Sequence, residues 1–121
     1  MGGDTVNITQ LNKVIRRFWQ NESRNQIYYL GLCSEVAKAL QKYLHGGKII
    51  KKGLMHTALY YNGYYCDIRG CFTKRQFNVV APSMYTRPAN VNELNHINQL
   101  LDEDMVDYIV HGLKKAEREI L

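Results

Sequence analysis

The sequence predicts an α+β fold that combines a helix beginning at Cys33, a small antiparallel sheet, an N-terminal helix and two C-terminal helices. Three observations support this prediction: apolar residues repeat at helical spacing near both ends, strand-like segments fill the middle, and Asn62-Gly63 marks a tight hairpin. A chain of 121 residues is the size of one domain, so residues 1–121 are interpreted as a single domain.

Four helices are predicted from the spacing of apolar residues. The first runs from about Thr9 to Gln20, and the polar residues 21–25 after it indicate a loop. The second begins at Cys33 and ends at the glycines 46 and 47, because glycine commonly terminates helices. From about Asn90 two more helices close the chain, separated by the acidic residues 102–104.

Strands are predicted between the second and third helices. They cover Lys48 to Lys52, Leu54 to Tyr61 and Tyr64 to Arg69. The path of residues 71–90 is left open: residues 77–80 are compatible with another strand, and the prolines at 82 and 88 interrupt any helix.

The Asn62-Gly63 turn fixes which residues of the hairpin face each other. A two-residue loop pairs Tyr61 with Tyr64, Leu59 with Cys66 and Ala58 with Asp67. Because side chains alternate along a strand, His56 and Asp67 lie on one face as diagonal neighbours, where the carboxylate can orient the imidazole. The same register sets Arg69 opposite His56, so an ordinary surface cluster of these three residues is the alternative interpretation.

Cys33 is the candidate nucleophile because of its place at a helix start. Backbone N–H groups and the helix dipole favour a thiolate there, and they also point toward an oxyanion that forms beside the sulfur. The alternative is a cysteine that is merely buried, since free cysteine is among the most buried residue types.

No metal or cofactor is predicted. Cys66 points to the face of the hairpin away from His56, and His45, His96 and His111 lack metal-ligand spacing. Three cysteines are too few and of the wrong parity for a disulfide framework. With no signal-like start and no apolar run of about 18 residues, this composition favours a cytoplasmic protein without a membrane segment.

The net charge of +5 is a weak indication of an acidic partner. Nine tyrosines on a basic chain are compatible with single-stranded nucleic acid, but many of them fall in predicted strands and a helix, where packing is the commoner role. A protein partner or substrate is therefore preferred to nucleic acid, and the sequence does not determine the oligomeric state.

Three short motifs resemble the papain-like superfamily, which includes papain-like peptidases, transglutaminase-like proteins and bacterial glutamine deamidase toxins. They are Gly31-Leu-Cys33-Ser-Glu-Val-Ala37-Lys-Ala-Leu40, His56-Thr-Ala-Leu and Tyr64-Tyr-Cys-Asp67-Ile-Arg-Gly70. The order of cysteine, histidine and acid matches, and the resemblance spans about a third of the chain. It implies a compact papain-like fold in which the cysteine begins a helix that packs on an antiparallel sheet, with the histidine on one strand and the acid on the next.

Carried over to this chain, the resemblance implies that Cys33 is the nucleophile, His56 the general base and then acid, and Asp67 the group that orients the imidazole. Gln26, upstream of the cysteine, is the expected side-chain donor of the oxyanion hole, and Asn25 is the alternative. The expected chemistry is acyl transfer from a protein amide. The alternative is an inactive binding or inhibitor protein of the same fold, such as a phage or bacterial effector that grips a host protein or nucleic acid.

Overall fold

The computed structural model describes residues 7–22, 31–52, 56–80 and 86–120, without the side chains of residues 78–80. Within these ranges the chain is α+β, with five helices and a five-stranded antiparallel sheet. The helices are α1 (Ile8–Asn21), α2 (Cys33–Leu44), α3 (Lys74–Val80), α4 (Val91–Leu100) and α5 (Glu103–Ile120). The strands are β1 (Lys48–Lys52), β2 (His56–Tyr61), β3 (Tyr64–Asp67), β4 (Gly70–Phe72) and β5 (Thr86–Pro88).

The sheet has the strand order β4-β3-β2-β1-β5, and every neighbouring pair is antiparallel. At the β2–β3 turn Asn62 and Gly63 both have positive φ, as a type I′ hairpin requires. Leu59 lies opposite Cys66 and Tyr61 opposite Tyr64, as the turn predicts. Strand β5 pairs with β1. The end of the segment 71–90, whose path the sequence did not predict, therefore lies at the edge of the sheet.

One prediction about the hairpin is wrong. Strand β3 ends at Asp67, not at Arg69, because residues 68 and 69 form a second tight turn into β4. Arg69 therefore does not lie in a ladder opposite His56. Gly70 takes a φ of 131° after this turn, a conformation that glycine adopts without steric cost.

Helices α1 and α2 pack on one face of the sheet, α5 packs on these two helices, and together they bury the larger core. Their apolar stripes supply most of it, and Ile49, Leu59 and Cys66 point into it from the sheet. Helix α2 ends at His45, which adopts a left-handed conformation and donates its N–H to carbonyls of the last turn. Because the buried stripe of α2 seats it on the sheet, the first residue of that helix is held at a fixed place beside β2.

The opposite face of the sheet is covered by α3, so residues 77–80, which the sequence left open as a possible strand, form part of a helix. Thr73 and Gln76 form a reciprocal capping box: the hydroxyl of Thr73 accepts from the Gln76 N–H, and the Gln76 amide oxygen accepts from the Thr73 N–H. This cap starts a helix that buries Phe77 against Ile50 and Ala58. The pattern Thr-x-x-Gln was the missed signal.

The two C-terminal helices lie where they were predicted. Asn90 caps α4 with a capping box to Glu93, and α5 begins at Glu103 after a break at residues 101–102. Among the helices of the four described ranges, none combines the length and apolarity that crossing a membrane requires.

Candidate functional site

Cys33 is the first residue of α2 and is half-buried. Leu32 precedes it as N-cap and offers no side-chain hydrogen bond to the helix. The first N–H groups of a helix have no partners within it, so this end of α2 presents positive partial charge beside the thiol. The side chains of Val36, Ala37 and Leu40 in the following turns are buried in the core. Their packing fixes the start of the helix and with it the position of the Cys33 sulfur.

His56 begins β2 and lies between the thiol and a carboxylate. Its imidazole is hydrogen-bonded to the Cys33 thiol, and its Nε2 lies 3.0 Å from Oδ2 of Asp67. Because Asp67 occupies Nε2, Nδ1 is the ring nitrogen that remains for the thiol. The ring of Phe77 lies 6.2 Å from the imidazole and covers it on the α3 side.

Asp67 is almost completely buried, with 2% of its surface exposed, at the end of β3. It accepts the Arg69 backbone N–H at 2.8 Å and Nη2 of the Arg69 guanidinium at 2.6 Å. Arg69 thus neutralises the carboxylate from within the turn. The alternative interpretation was an ordinary surface cluster of His56, Asp67 and Arg69. Asp67 is instead buried and accepts several hydrogen bonds.

The charges of the three groups are coupled. Burial opposes charge on each of them, yet hydrogen bonding outweighs it. Burial works to raise the pKa of the Cys33 thiol, but hydrogen bonds with His56 and the Thr57 backbone, together with the charges of His56 and Lys51, lower that pKa below its ordinary value.

The pKa values of the His56 imidazole and the Asp67 carboxylate shift in the directions that favour an ion pair. Burial tends to lower the pKa of His56, whereas its hydrogen bonds to Asp67 and Cys33 raise it overall. Burial tends to raise the pKa of Asp67, whereas hydrogen bonds from His56 and Arg69 hold it below its usual range. The arrangement therefore favours a thiolate beside an imidazolium that a carboxylate stabilises.

Cys66 and Cys71 are unsuited to the same chemistry. Both are free thiols in the larger core, on the sheet face away from His56, and the Cys66 thiol donates a hydrogen bond to the Cys71 sulfur at 3.1 Å. The hydrogen bond with Cys71 and burial raise the pKa of Cys66 far above its ordinary value. Among the residues that the structure describes, no group of three His, Cys, Asp or Glu side chains could hold a metal ion.

Lys51 and Thr57 are neighbours of the thiol that the sequence interpretation did not identify. They face each other in the β1–β2 ladder, and Nζ of Lys51 donates to the Thr57 hydroxyl at 3.0 Å. The sequence could have indicated this pair, because the two strands predicted on either side of Gly53 form an antiparallel ladder in which the end of the first strand lies beside the start of the second. Gln26, the expected oxyanion-hole residue, and its alternative Asn25 lie outside the described residues.

Comparisons with protein families, with curated proteins and with solved structures found no match to this chain.

Proposed function

We propose that this protein is a small cysteine-dependent acyl-transfer enzyme, a hydrolase, peptidase or deamidase that acts on a protein amide through a thioester. One observation carries the proposal: the Cys33 thiol is hydrogen-bonded to His56, whose Nε2 lies 3.0 Å from the buried Asp67 carboxylate. Nucleophile, base and orienting acid are thereby joined in one chain of contacts.

In the first step the Cys33 thiolate attacks the carbonyl carbon of the amide. The S–C bond forms, and the carbonyl oxygen carries negative charge beside the N-terminus of α2, whose N–H groups stabilise it. Collapse of the tetrahedral species breaks the C–N bond, and the His56 imidazolium gives its proton to the departing nitrogen. An amine or ammonia leaves, and an acyl-thioester stays on Cys33.

In the second step water releases the acyl group. His56, now neutral, takes a proton from water as its oxygen attacks the thioester, and the S–C bond breaks to give a carboxylic acid and the thiolate. Asp67 stabilises the imidazolium at both stages and keeps the ring in one orientation. Its burial suits this role, because a carboxylate shielded from water interacts more strongly with the ring.

The resemblance to the papain-like superfamily supports this assignment of roles to Cys33, His56 and Asp67. The free state of the described cysteines is compatible with a reducing, cytoplasmic setting. A papain-like fold and a cytoplasmic location are both part of the proposal.

The proposal is tested by alkylation with iodoacetamide, followed by peptide mapping. We expect Cys33 to react selectively at near-neutral pH, with Cys66 and Cys71 unlabelled until the protein is unfolded. The rate of Cys33 alkylation should stay high at pH values below the ordinary thiol pKa of about 8.5, because the thiolate persists to lower pH. In His56→Ala the neutral-pH rate should fall by about tenfold as the profile returns toward that of a free thiol.

A Cys33 that reacts slowly, with an ordinary pH profile unchanged in His56→Ala, would contradict the proposal. For turnover, the intact masses of candidate target proteins are compared after incubation with the parent and with Cys33→Ala. Deamidation adds about one dalton and cleavage splits the chain, and either change should disappear in the variant.

A second candidate, a binding protein without turnover, is favoured by a basic cluster on α5. His111, Lys114, Lys115 and Arg118 line a cavity of about 380 Å³ between this helix and the end of α1. Such a cluster suits an acidic partner. If Cys33→Ala retains both partner binding and biological effect, the binding role is the correct one.

A further inference from the structure

Lys51 connects the thiol to a neighbouring cavity. Its Nζ lies 3.0 Å from the Thr57 hydroxyl, and the Thr57 backbone is itself hydrogen-bonded to the Cys33 thiol. The ammonium group is close enough for its charge to act on that sulfur. Lys51 therefore belongs to the surroundings of the nucleophile although it lies on a different strand.

The cavity lies between β1 and the first turns of α4. It has a volume of about 320 Å³ and is lined by Lys51, Asn90, Asn92, Glu93, His96 and Ile97. This volume is at the lower end of the range for small-ligand sites, and it suits one side chain of a substrate. Lys51 is the residue shared by the cavity and the thiol site.

The other strong charges around the cavity are already compensated. The Arg87 guanidinium binds both oxygens of Glu93, at 2.6 and 2.8 Å, and the Asn90 N–H donates to the same carboxylate at 3.0 Å. Lys51 differs: its hydrogen bond goes to a neutral hydroxyl, and its charge acts on Glu93 across the cavity, but within the described ranges no carboxylate forms a salt bridge with it. Lys51 thus brings to the cavity a positive charge that can pair with a ligand.

We propose that this cavity is a substrate subsite in which Lys51 binds the carboxylate of an acidic side chain close to the amide that Cys33 attacks. The inference rests on the proposed function of Cys33 and adds a substrate class to it. Lys51 is half-buried, and the charge of a partly buried lysine attracts a carboxylate more strongly than that of a fully exposed lysine does. Asn92 and His96 offer further hydrogen-bonding groups at the same cavity.

Two matched alkylating probes test the subsite without a known substrate: the iodoacetyl derivatives of glutamate α-amide and of glutamine α-amide. They differ only in a side-chain carboxylate or carboxamide. We expect the glutamate probe to alkylate Cys33 about three- to tenfold faster than the glutamine probe at low ionic strength. In Lys51→Met the ratio should fall close to one, and in Lys51→Glu it should invert.

The control variant is Lys48→Met, because Lys48 is an exposed lysine on the same strand and lies opposite Tyr60, away from the thiol. Its ratio should equal that of the parent. If the Lys51 variants do not fold, the parent is measured at increasing salt, where screening should bring its ratio toward one.

The outcomes separate the two proposals. A parent ratio of one, or a ratio that Lys51→Met leaves unchanged, overturns the acidic subsite even if iodoacetamide reacts rapidly with Cys33. Slow alkylation of Cys33 by iodoacetamide and by both probes overturns the proposed function itself.

Discussion

Asp67 is the residue on which the charge state of the site depends. A carboxylate that is 2% exposed is costly to bury, and the imidazole of His56 and the guanidinium of Arg69 compensate it. Removing its charge leaves the Arg69 guanidinium and the His56 imidazolium without their shared counter-charge. The same residue is therefore expected to influence both reactivity and stability.

Asp67→Asn should change how stability depends on pH. The folded-state pKa of Asp67 lies below its unfolded value, so its contribution is complete above about pH 4 and is lost as the pH falls through the folded pKa. The parent should lose unfolding free energy over this acid range, and Asp67→Asn should lose less. At neutral pH the variant should be destabilised by about 3 kcal/mol.

Urea denaturation between roughly pH 2.5 and 7 measures both effects. The matched control is Asp107→Asn. The side chain of Asp107 is 63% exposed and lies 3.7 Å from Nζ of Lys42, and an exposed ion pair of this kind contributes little to stability. Identical acid limbs in the parent and Asp67→Asn would show that the carboxylate is not held as described. His56 acts in the opposite direction: its raised pKa contributes stability below about pH 6.5 that is lost as the pH rises through the folded value.

At the scale of elements, α3 is the part of the fold that closes the site. It is seven residues long, so its own hydrogen bonds cannot make it stable in isolation. The capping box between Thr73 and Gln76 and the burial of Phe77 hold it on the sheet. Phe77 also stacks on Tyr65 at 5.4 Å and contacts the His56 ring, so the helix shields the imidazole.

Thr73→Ala should therefore weaken a helix that the site needs. We expect a loss of about 1 kcal/mol in unfolding free energy, because the N-cap hydroxyl is the acceptor for the Gln76 N–H. Chemical denaturation measures the loss. Thr73→Ser keeps the acceptor and should remain close to the parent, whereas an equal loss in both variants would attribute the effect to the threonine methyl group.

For the molecule as a whole, the close packing of α1 against α5 shields one side of the larger core from solvent. Gly112 on α5 faces the ring of Phe18 on α1, and a Cβ at position 112 would collide with that buried ring. The absence of a side chain at this point therefore allows the two helices to pack closely. Helix α5 also packs on α2, so this contact helps to fix the helix that carries Cys33.

Gly112→Ala is expected to destabilise the protein, although the same change within a helix ordinarily stabilises by up to about 1 kcal/mol. Overpacking against Phe18 should outweigh that gain and cost about 1–3 kcal/mol net. Thermal and urea unfolding measure the sign. Gly46→Ala is the control, since nothing lies within 4 Å of a Cβ there, and its effect should stay within about 0.5 kcal/mol. A more stable Gly112→Ala protein would contradict the close approach.

Prediction from sequence succeeded where the signal is local. The helix start at Cys33, the stop after Leu44 and the Asn62-Gly63 turn all depend on a few adjacent residues. The same turn set the side-chain alternation that brings His56 and Asp67 together. The sequence left residues 71–90 open, because the apolar residues around Phe77 are compatible with a strand, whereas the cap at Thr73 and packing on the sheet favour a helix.

The α+β class, the hairpin register and the face on which the histidine and the aspartate meet can all be predicted from the residues alone, because chain geometry fixes them over short distances. Three contacts require the folded molecule: the Cys33 sulfur reaches His56, Arg69 turns back onto Asp67, and Lys51 lies beside the thiol. These contacts depend on how α2 seats on the sheet and how β1 joins it. That seating results from the burial of many apolar side chains together, and no short motif encodes it.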